Sequence, residues 1–414
     1  MKFLNEKRLR DYPRIIFILL WGIFIINLIG HQGWLGMNGT VFGLDFIAMY
    51  TGGTLFWDNP QHLYDWKTQA EMQQLLFEPT DLGGGVMIFN SPPYVAMLYG
   101  LLKFIFPVGW AYVVWSVLNI ACVCYAAVLM HRYLLSNRLK GNSLSILQLM
   151  MLVFSFLPFL IGIQNGQNQG FSLLLVTGII ILTLQEKYFR AGALAGMLLY
   201  KPYLVIGFLI VWIFWLKYPA IIGFASSTVL WLGTTLWARG LGPFTDYFQK
   251  VPALLNLNIG TDFLMRFEAT LLGLIRSALK FNADVYINLI FPVTILLFGG
   301  SLALYTWLVR KKASNEKIPA LMFATLLPFL VSPHIYHYDL VILIPVLVLW
   351  TQLTMSRRLL YAVVAIYLGV FILPVLIRLT GIAFAAVIPL GLIFAVLAWI
   401  IQQQRAERQA APAP

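Results

Sequence analysis

Residues 92–106 read Pro92-Pro93-Tyr94-Val95-Ala96-Met97-Leu98-Tyr99-Gly100-Leu101-Leu102-Lys103-Phe104-Ile105-Phe106, and their placement decides on which side of a membrane every later segment falls. The stretch is apolar except for Lys103. As a helix it would measure about 22 Å, against the roughly 30 Å of a bilayer's hydrocarbon core. An amphipathic helix lying in the outer interface is therefore expected here, not a span.

Working outward, apolar runs bounded by charge are expected to cross near 15–31, 110–131, 146–163, 170–185, 190–201, 203–217, 219–238, 285–309, 318–332, 338–353, 358–376 and 380–402. With 92–106 in the interface, the cytoplasmic side holds the basic leader (Lys2, Lys7, Arg8, Arg10, Arg14) and the clusters Arg132/Arg138/Lys140, Lys187/Arg190 and Lys217. It also holds Arg310/Lys311/Lys312/Lys317, Arg357/Arg358 and Arg405/Arg408. The outside keeps Lys67, Lys103, Lys201, Arg239, Lys250, Arg266, Arg276, Lys280 and Arg378, so the bias is about two to one towards the cytoplasm, as the positive-inside rule asks. Counting 92–106 as a span would reverse that bias. Both termini are then cytoplasmic, and the first run is a retained span, since no small-residue cleavage site follows it.

The composition agrees. The chain has 414 residues, 60% of them hydrophobic, 11% charged and a mean hydropathy of +0.81, where a soluble domain carries about 25% charge. The fold class expected is an all-α polytopic membrane protein of about twelve helices, a single transmembrane domain over residues 1–408 followed by a short disordered Ala/Pro tail at 409–414. The net charge of +12 reflects topology, and nucleic acid is not expected as a partner. Cys122 and Cys124 lie in an apolar run and cannot make a Cys-rich metal site. No internal repeat is visible.

Two segments are too long and polar for simple connectors: 31–109, which includes the interfacial helix, and 239–284. Both fall outside, and long loops in compact folds are usually functional. On the same side lie Gly43-Leu44-Asp45-Phe46 with Tyr50, the run Gln164-Asn165-Gly166-Gln167-Asn168-Gln169-Gly170, Lys201-Pro202-Tyr203, and Ser332-Pro333-His334-Ile335-Tyr336-His337-Tyr338-Asp339. Each has a bland reading: Asp45 as a helix cap, the Gln/Asn run as a polar turn, Lys201 as a snorkelling side chain, the histidines as part of a hydrogen-bonded loop. Taken together they form a candidate site. No Walker loop, dinucleotide fingerprint or zinc-protease helix is present, and His334 with His337 lacks a good third ligand for zinc. A carboxylate such as Asp45 can deprotonate an attacking hydroxyl. Lys201, the histidines and the amides can stabilise a leaving phosphate. That chemistry suits transfer of a sugar from a lipid-phosphate carrier whose tail lies in the bilayer.

The order Gly43-x-Asp45-Phe46-x-x-x-Tyr50, Tyr64-Asp65, Pro92-Pro93, Gly166-Gln167-Asn168, Lys201-Pro202 and Ser332-Pro333-His334 resembles glycosyltransferase family 87 of the GT-C superfamily, which includes polyprenol-phosphate-mannose-dependent α-mannosyltransferases. The resemblance implies a GT-C-type fold with juxtamembrane helices in its large first outer loop. It also implies an inverting, metal-independent transfer without cofactor from a polyprenyl-phosphate sugar to a glycolipid or glycan acceptor, at the extracytoplasmic face of the plasma (inner) membrane. Carried onto this sequence, Asp45 is the expected general base, and Lys201, His334 and His337 lie near the donor phosphate. Tyr50, Tyr64, Gln167, Asn168, Arg266 and Glu268 are expected to contact substrate. Asp58, before Asn59-Pro60, and Asp65 are rival bases.

A carrier or flippase for a lipid-linked sugar is the competing class. It would place ionisable groups at mid-bilayer on broken helices, whereas here the unusual residues sit at the outer ends of nearly uncharged spans. A ligase moving whole glycans differs mainly in acceptor size.

Overall fold

A computed structural model describes residues 6–77, 87–135, 145–259, 266–279, 289–310, 314–332, 335–353 and 357–410. Among these, regular structure is helical apart from three isolated bridges. Six helices are long and apolar enough to cross a bilayer: Asp11–Ile29, Val108–Leu135, Tyr218–Arg239, Phe291–Val309, Tyr361–Thr380 and Phe384–Gln402. Their outward faces are apolar. On the first, Ile15, Ile18, Ile23 and Ile26 are all exposed, which suits hydrocarbon as the surrounding solvent. The chain is thus a multi-pass membrane protein.

The other expected spans are shorter or broken. Gln169–Leu184, Tyr203–Phe214, Lys317–Val331 and His337–Thr351 are apolar helices of 10–17 residues, and the run near 190–201 forms a helix over Tyr188–Met197 ending in a 3₁₀ turn. The third expected span is not continuous: Ile146–Phe154 and Leu157–Asn165 meet at a 62° bend. Pro158, in the first turn of the second piece, has no N–H with which to continue the first. Trp21 Nε1 takes up the Phe154 carbonyl at 2.9 Å. The last helix continues to Ala410, two residues into the tail expected to be disordered; the remainder lies outside the described residues.

The chain divides into two compact units. The first is Met1–Pro202 with Pro219–Thr261, the second Tyr203–Tyr218 with Asp262–Pro414. In the first unit we number α1 (Glu6–Ile29), α2 (Leu44–Asp58), α3 (Trp66–Phe77), α4 (Pro93–Lys103), α5 (Val108–Met130), α6 (Ile146–Phe154), α7 (Leu157–Asn165), α8 (Gln169–Leu184) and α9 (Tyr188–Met197). The described part of residues 31–109, the segment expected to form the first outer loop, is therefore largely helical.

The decisive stretch becomes α4, 11 residues from Pro93 to Lys103, or about 16 Å. Its buried face (Tyr94, Val95, Ala96, Tyr99, Gly100) lies on α2. The approach is close because both partners are glycine: a Cβ at Gly53 would stand 2.3 Å from the Gly100 nitrogen. Lys103 pairs with Asp58, joining the C-terminal ends of the two helices. The small pair Gly192 and Gly196 packs α9 within the chain, against Ala220 and Ser227 of Tyr218–Arg239.

In the second unit Tyr203–Phe214 packs on Ser314–Leu326, with Gly207 against Ala324. A short bridge pairs Glu268 with Tyr336, through Ala269 N–H to the Ile335 carbonyl at 2.6 Å and His337 N–H to the Phe267 carbonyl at 3.0 Å.

Candidate active site

The polar turn after α7 is the foundation of the site in the first unit. Gly166 has φ 72° and ends the helix in a Schellman arrangement, with Gly166 N–H on the Ile163 carbonyl (3.0 Å) and Gln167 N–H on the Gly162 carbonyl (2.8 Å). Glycine is required twice over here, because the left-handed φ is strained for any other residue and a Cβ would lie 2.4 Å from Phe46 Cβ. The carbonyls left at the helix end are taken from outside. Tyr112 Oη donates to those of Ile163 and Gln164 (3.0 and 3.1 Å), and Trp115 Nε1 to that of Gly166 (3.0 Å).

The loop before α2 docks on that turn. Gly43 N–H donates to the Gln164 carbonyl at 2.7 Å, and Gln164 Nε2 to Thr40 Oγ1 at 2.6 Å. Gly43, at φ 64°, begins α2, so Asp45 falls in the helix's first turn, where the exposed N–H groups and the helix dipole favour an anion. Asp45 is half-buried, and its neighbour Phe46 is fully buried among Tyr50, Tyr99, Tyr112 and Trp115 at 5.8–6.5 Å between ring centroids. Contacts of this kind contribute about 0.5–1.5 kcal/mol each and hold the carboxylate's backbone in place.

Asn168 and Gln167 are buried. Asn168 begins α8 without capping it, and its Oδ1 is enclosed with no protein partner. Gly170 N–H instead meets Asn119 Oδ1 of α5 at 3.0 Å. Lys201 is buried at 8% exposure, and an ammonium is kept in such a place only where other groups offset its desolvation. Its segment is tied down on two sides, by Tyr94 Oη donating to the Leu199 carbonyl (2.8 Å) and by Tyr200 Oη meeting Ser172 Oγ (3.0 Å).

Tyr99, its ring 6.1 Å from that of Phe46 and 4.4 Å from that of Trp115, lies beside these groups and was not singled out in the sequence. Burial pushes its phenol well above the ordinary range, the neighbouring Tyr200 and Asp45 push it further, and a side-chain hydrogen bond with Asn168 works in the opposite direction.

Tyr50 and Tyr64 have other employment. Tyr50 Oη donates to the Phe106 carbonyl (3.2 Å) and Tyr64 Oη to the Ser91 carbonyl (2.8 Å), so both hydroxyls brace the segment 31–109. The rival bases are also engaged in local structure. Asp58 is paired with Lys103. Asp65 Oδ1 accepts the Thr68 N–H at 2.8 Å, a helix cap for α3 that holds its carboxyl below the usual range.

The second unit carries Arg266, Glu268 and His337. Glu268 is buried at the start of Leu271–Leu279, where Thr270 Oγ1 caps the Gly273 N–H at 2.9 Å. Arg266 lies against Gly381. His337 Nδ1 is enclosed without a hydrogen-bond partner; burial lowers its pKa to about 4, partly opposed by the Phe267 backbone. Asp339, 1% exposed, receives Tyr203 Oη at 3.5 Å. His334 lies outside the described residues. Among the described residues no cluster of three or more His, Cys, Asp and Glu is arranged to hold a metal.

Compared with known proteins, residues 89–333, more than half of the chain, match the model of glycosyltransferase family 87. No curated protein matches the chain significantly.

Proposed function

The chain belongs to glycosyltransferase family 87, and from that premise we propose that it is an inverting transferase moving a hexose from a polyprenyl-phosphate donor to a glycolipid or glycan acceptor. Mannose is the family expectation. The proposal includes the GT-C layout of about twelve crossings, both termini in the cytoplasm, and a site on the outer face of the plasma membrane.

Asp45 is the general base. It takes the proton of the acceptor hydroxyl as that oxygen attacks the anomeric carbon; the carbon–phosphate oxygen bond breaks, and the polyprenyl phosphate leaves with the electron pair. Lys201 stabilises the phosphate's growing charge. His334 and His337 are the further phosphate contacts in the proposal, His337 as a neutral imidazole N–H donor. Asn168 Oδ1, an enclosed acceptor, suits a sugar hydroxyl, with Gln167, Arg266 and Glu268 as the remaining substrate contacts. Tyr50 and Tyr64 act through the loop they brace.

The observation that carries the reading is the placement of Asp45. Asp45 is half-buried in the first turn of α2, where the helix N-terminus favours its ionised form, on the loop that docks on the polar turn. The test uses purified protein in proteoliposomes with polyprenyl phosphate labelled in its sugar. Label appearing in a new glycosidic linkage supports transfer; label crossing the bilayer without a new linkage supports a carrier and ends this reading.

A further inference from the structure

Asn119 stands at the middle of α5 between Leu118 and Ile120 and is fully buried. A polar side chain at that depth of an apolar helix needs a partner, and it has two. Its Nδ2 donates to the Trp115 carbonyl one turn earlier (3.0 Å), and its Oδ1 accepts the Gly170 N–H of α8 (3.0 Å). The first bond fixes which way the amide faces, so the oxygen is the end presented to α8.

Gly170 is the second residue of α8. The N–H at that position is one that the residue before a helix, here Asn168, ordinarily bonds with its own side chain. Asn119 has taken over that task. The two helices approach too closely for a side chain at Gly170, where a Cβ would stand 2.4 Å from the Asn119 carbonyl oxygen. Trp115, on the same face of α5, holds the other end of the polar turn through Nε1 on the Gly166 carbonyl (3.0 Å). The Asn168 backbone is held as well. Its carbonyl accepts Ser172 N–H (3.1 Å) and Ser172 Oγ (3.2 Å), and that Oγ also meets the hydroxyl of Tyr200, the residue before Lys201. The Asn168 side-chain oxygen is what remains, enclosed and without a hydrogen-bond partner.

We propose that Asn119 is a positioning residue for Asn168: by capping α8 from α5, it leaves the Asn168 amide oxygen to accept a sugar hydroxyl of the substrate. This deepens the transferase reading and rests on its assignment of Asn168 as a substrate contact. A buried acceptor left unbonded destabilises the free protein. A hydroxyl donated by the sugar removes that penalty, so the bond favours the bound state. Without Asn119 the Gly170 N–H loses its acceptor, and Asn168, by its place before the helix, is the residue able to replace it. Capping then displaces recognition.

Initial rates, with donor and acceptor varied in turn, and unfolding temperatures are compared for wild type, Asn168→Ala, Asn119→Ala and the double variant. Asn168→Ala is expected to raise the KM of one substrate about tenfold with kcat within about twofold; which KM rises tells whether the hydroxyl belongs to donor or acceptor. It should unfold at or above the wild-type temperature, because the acceptor it deletes was unbonded. Asn119→Ala is expected to raise the KM of the same substrate and to unfold below wild type, having lost the cap. The double variant should show the KM of Asn168→Ala alone, because Asn119 acts only through Asn168. Two increases that multiply, or a raised KM in Asn168→Ala beside an unchanged one in Asn119→Ala, overturn the Asn119 role and leave Asn168 as a contact. Unchanged KM values in Asn168→Ala, the result expected if water alone meets that oxygen, overturn both. Should Asn119→Ala not fold, Asn168→Ala decides: unfolding clearly below wild type would mean that Asn168 stabilises the helix end itself, which overturns the proposal.

Discussion

Gly43 donates its backbone N–H to the Gln164 carbonyl at 2.7 Å, joining the loop before α2 to the turn after α7 across more than a hundred residues of chain. The carboxylate of Asp45 inherits its position from this bond, because Gly43 sets where the helix begins and the Gln164 turn sets where Gly43 can lie. Gly166 stabilises the other side of the same joint.

Gly166→Ala should therefore loosen the site from a distance. The substitution strains a left-handed φ of 72° and drives a Cβ into Phe46, together worth about 1–3 kcal/mol. Sugar transfer should fall by about tenfold or more, with a lower unfolding temperature in detergent. A variant of normal stability and turnover would show that the joint does not position the base.

Lys201→Ala is expected to raise the donor KM about tenfold and the acceptor KM much less, since the proposed mechanism sets the ammonium against the donor's phosphate. Initial rates with each substrate varied in turn give the split. Equal increases in both would assign Lys201 to folding.

The rival carboxylates should behave as structural groups. Asp58→Asn should keep transfer within about threefold of wild type, because it removes one ion pair with Lys103. Asp65→Ala should lose about 1 kcal/mol of stability with its cap and retain turnover. The Asp65 contribution is present above the usual carboxylate range and fades as pH falls through its depressed value. Loss of turnover in either variant without unfolding would move the base away from Asp45.

His337 predicts an acid-sensitive second unit. Its pKa is lowered from 6.5 to about 4, so below 6.5 the unfolded chain takes up a proton that the folded chain refuses. Stability should decline as pH falls from 6.5 towards 4, and less steeply in His337→Gln. Unfolding temperatures measured in steps between pH 7 and 5 check this; parallel curves for the two proteins would contradict it.

The parts of this arrangement legible in the sequence were those written as exceptions to an apolar background. Asp45, Lys201 and the Gln/Asn run stand out because polar groups at the ends of spans need a reason, and the shortness of 92–106 against a bilayer follows from helix rise alone. Tyr99 was hidden because an aromatic in an apolar helix looks like core, and its packing on Phe46 and Trp115 is long-range. Tyr50 and Tyr64 stood out through their motif, but the backbone carbonyl that each hydroxyl reaches is not specified by periodicity. The bend between α6 and α7 was missed for a related reason. Pro158 was visible, but the capture of the Phe154 carbonyl by Trp21, 133 residues away in sequence, was not.

Single-turnover transfer by wild type and Asp45→Asn, with labelled polyprenyl-phosphate mannose and a mixed glycolipid acceptor pool, tests the role of Asp45 as base most directly. A loss of about 10²-fold or more in a variant that unfolds at the wild-type temperature is the predicted result. Turnover near that of wild type would contradict the assignment of the base.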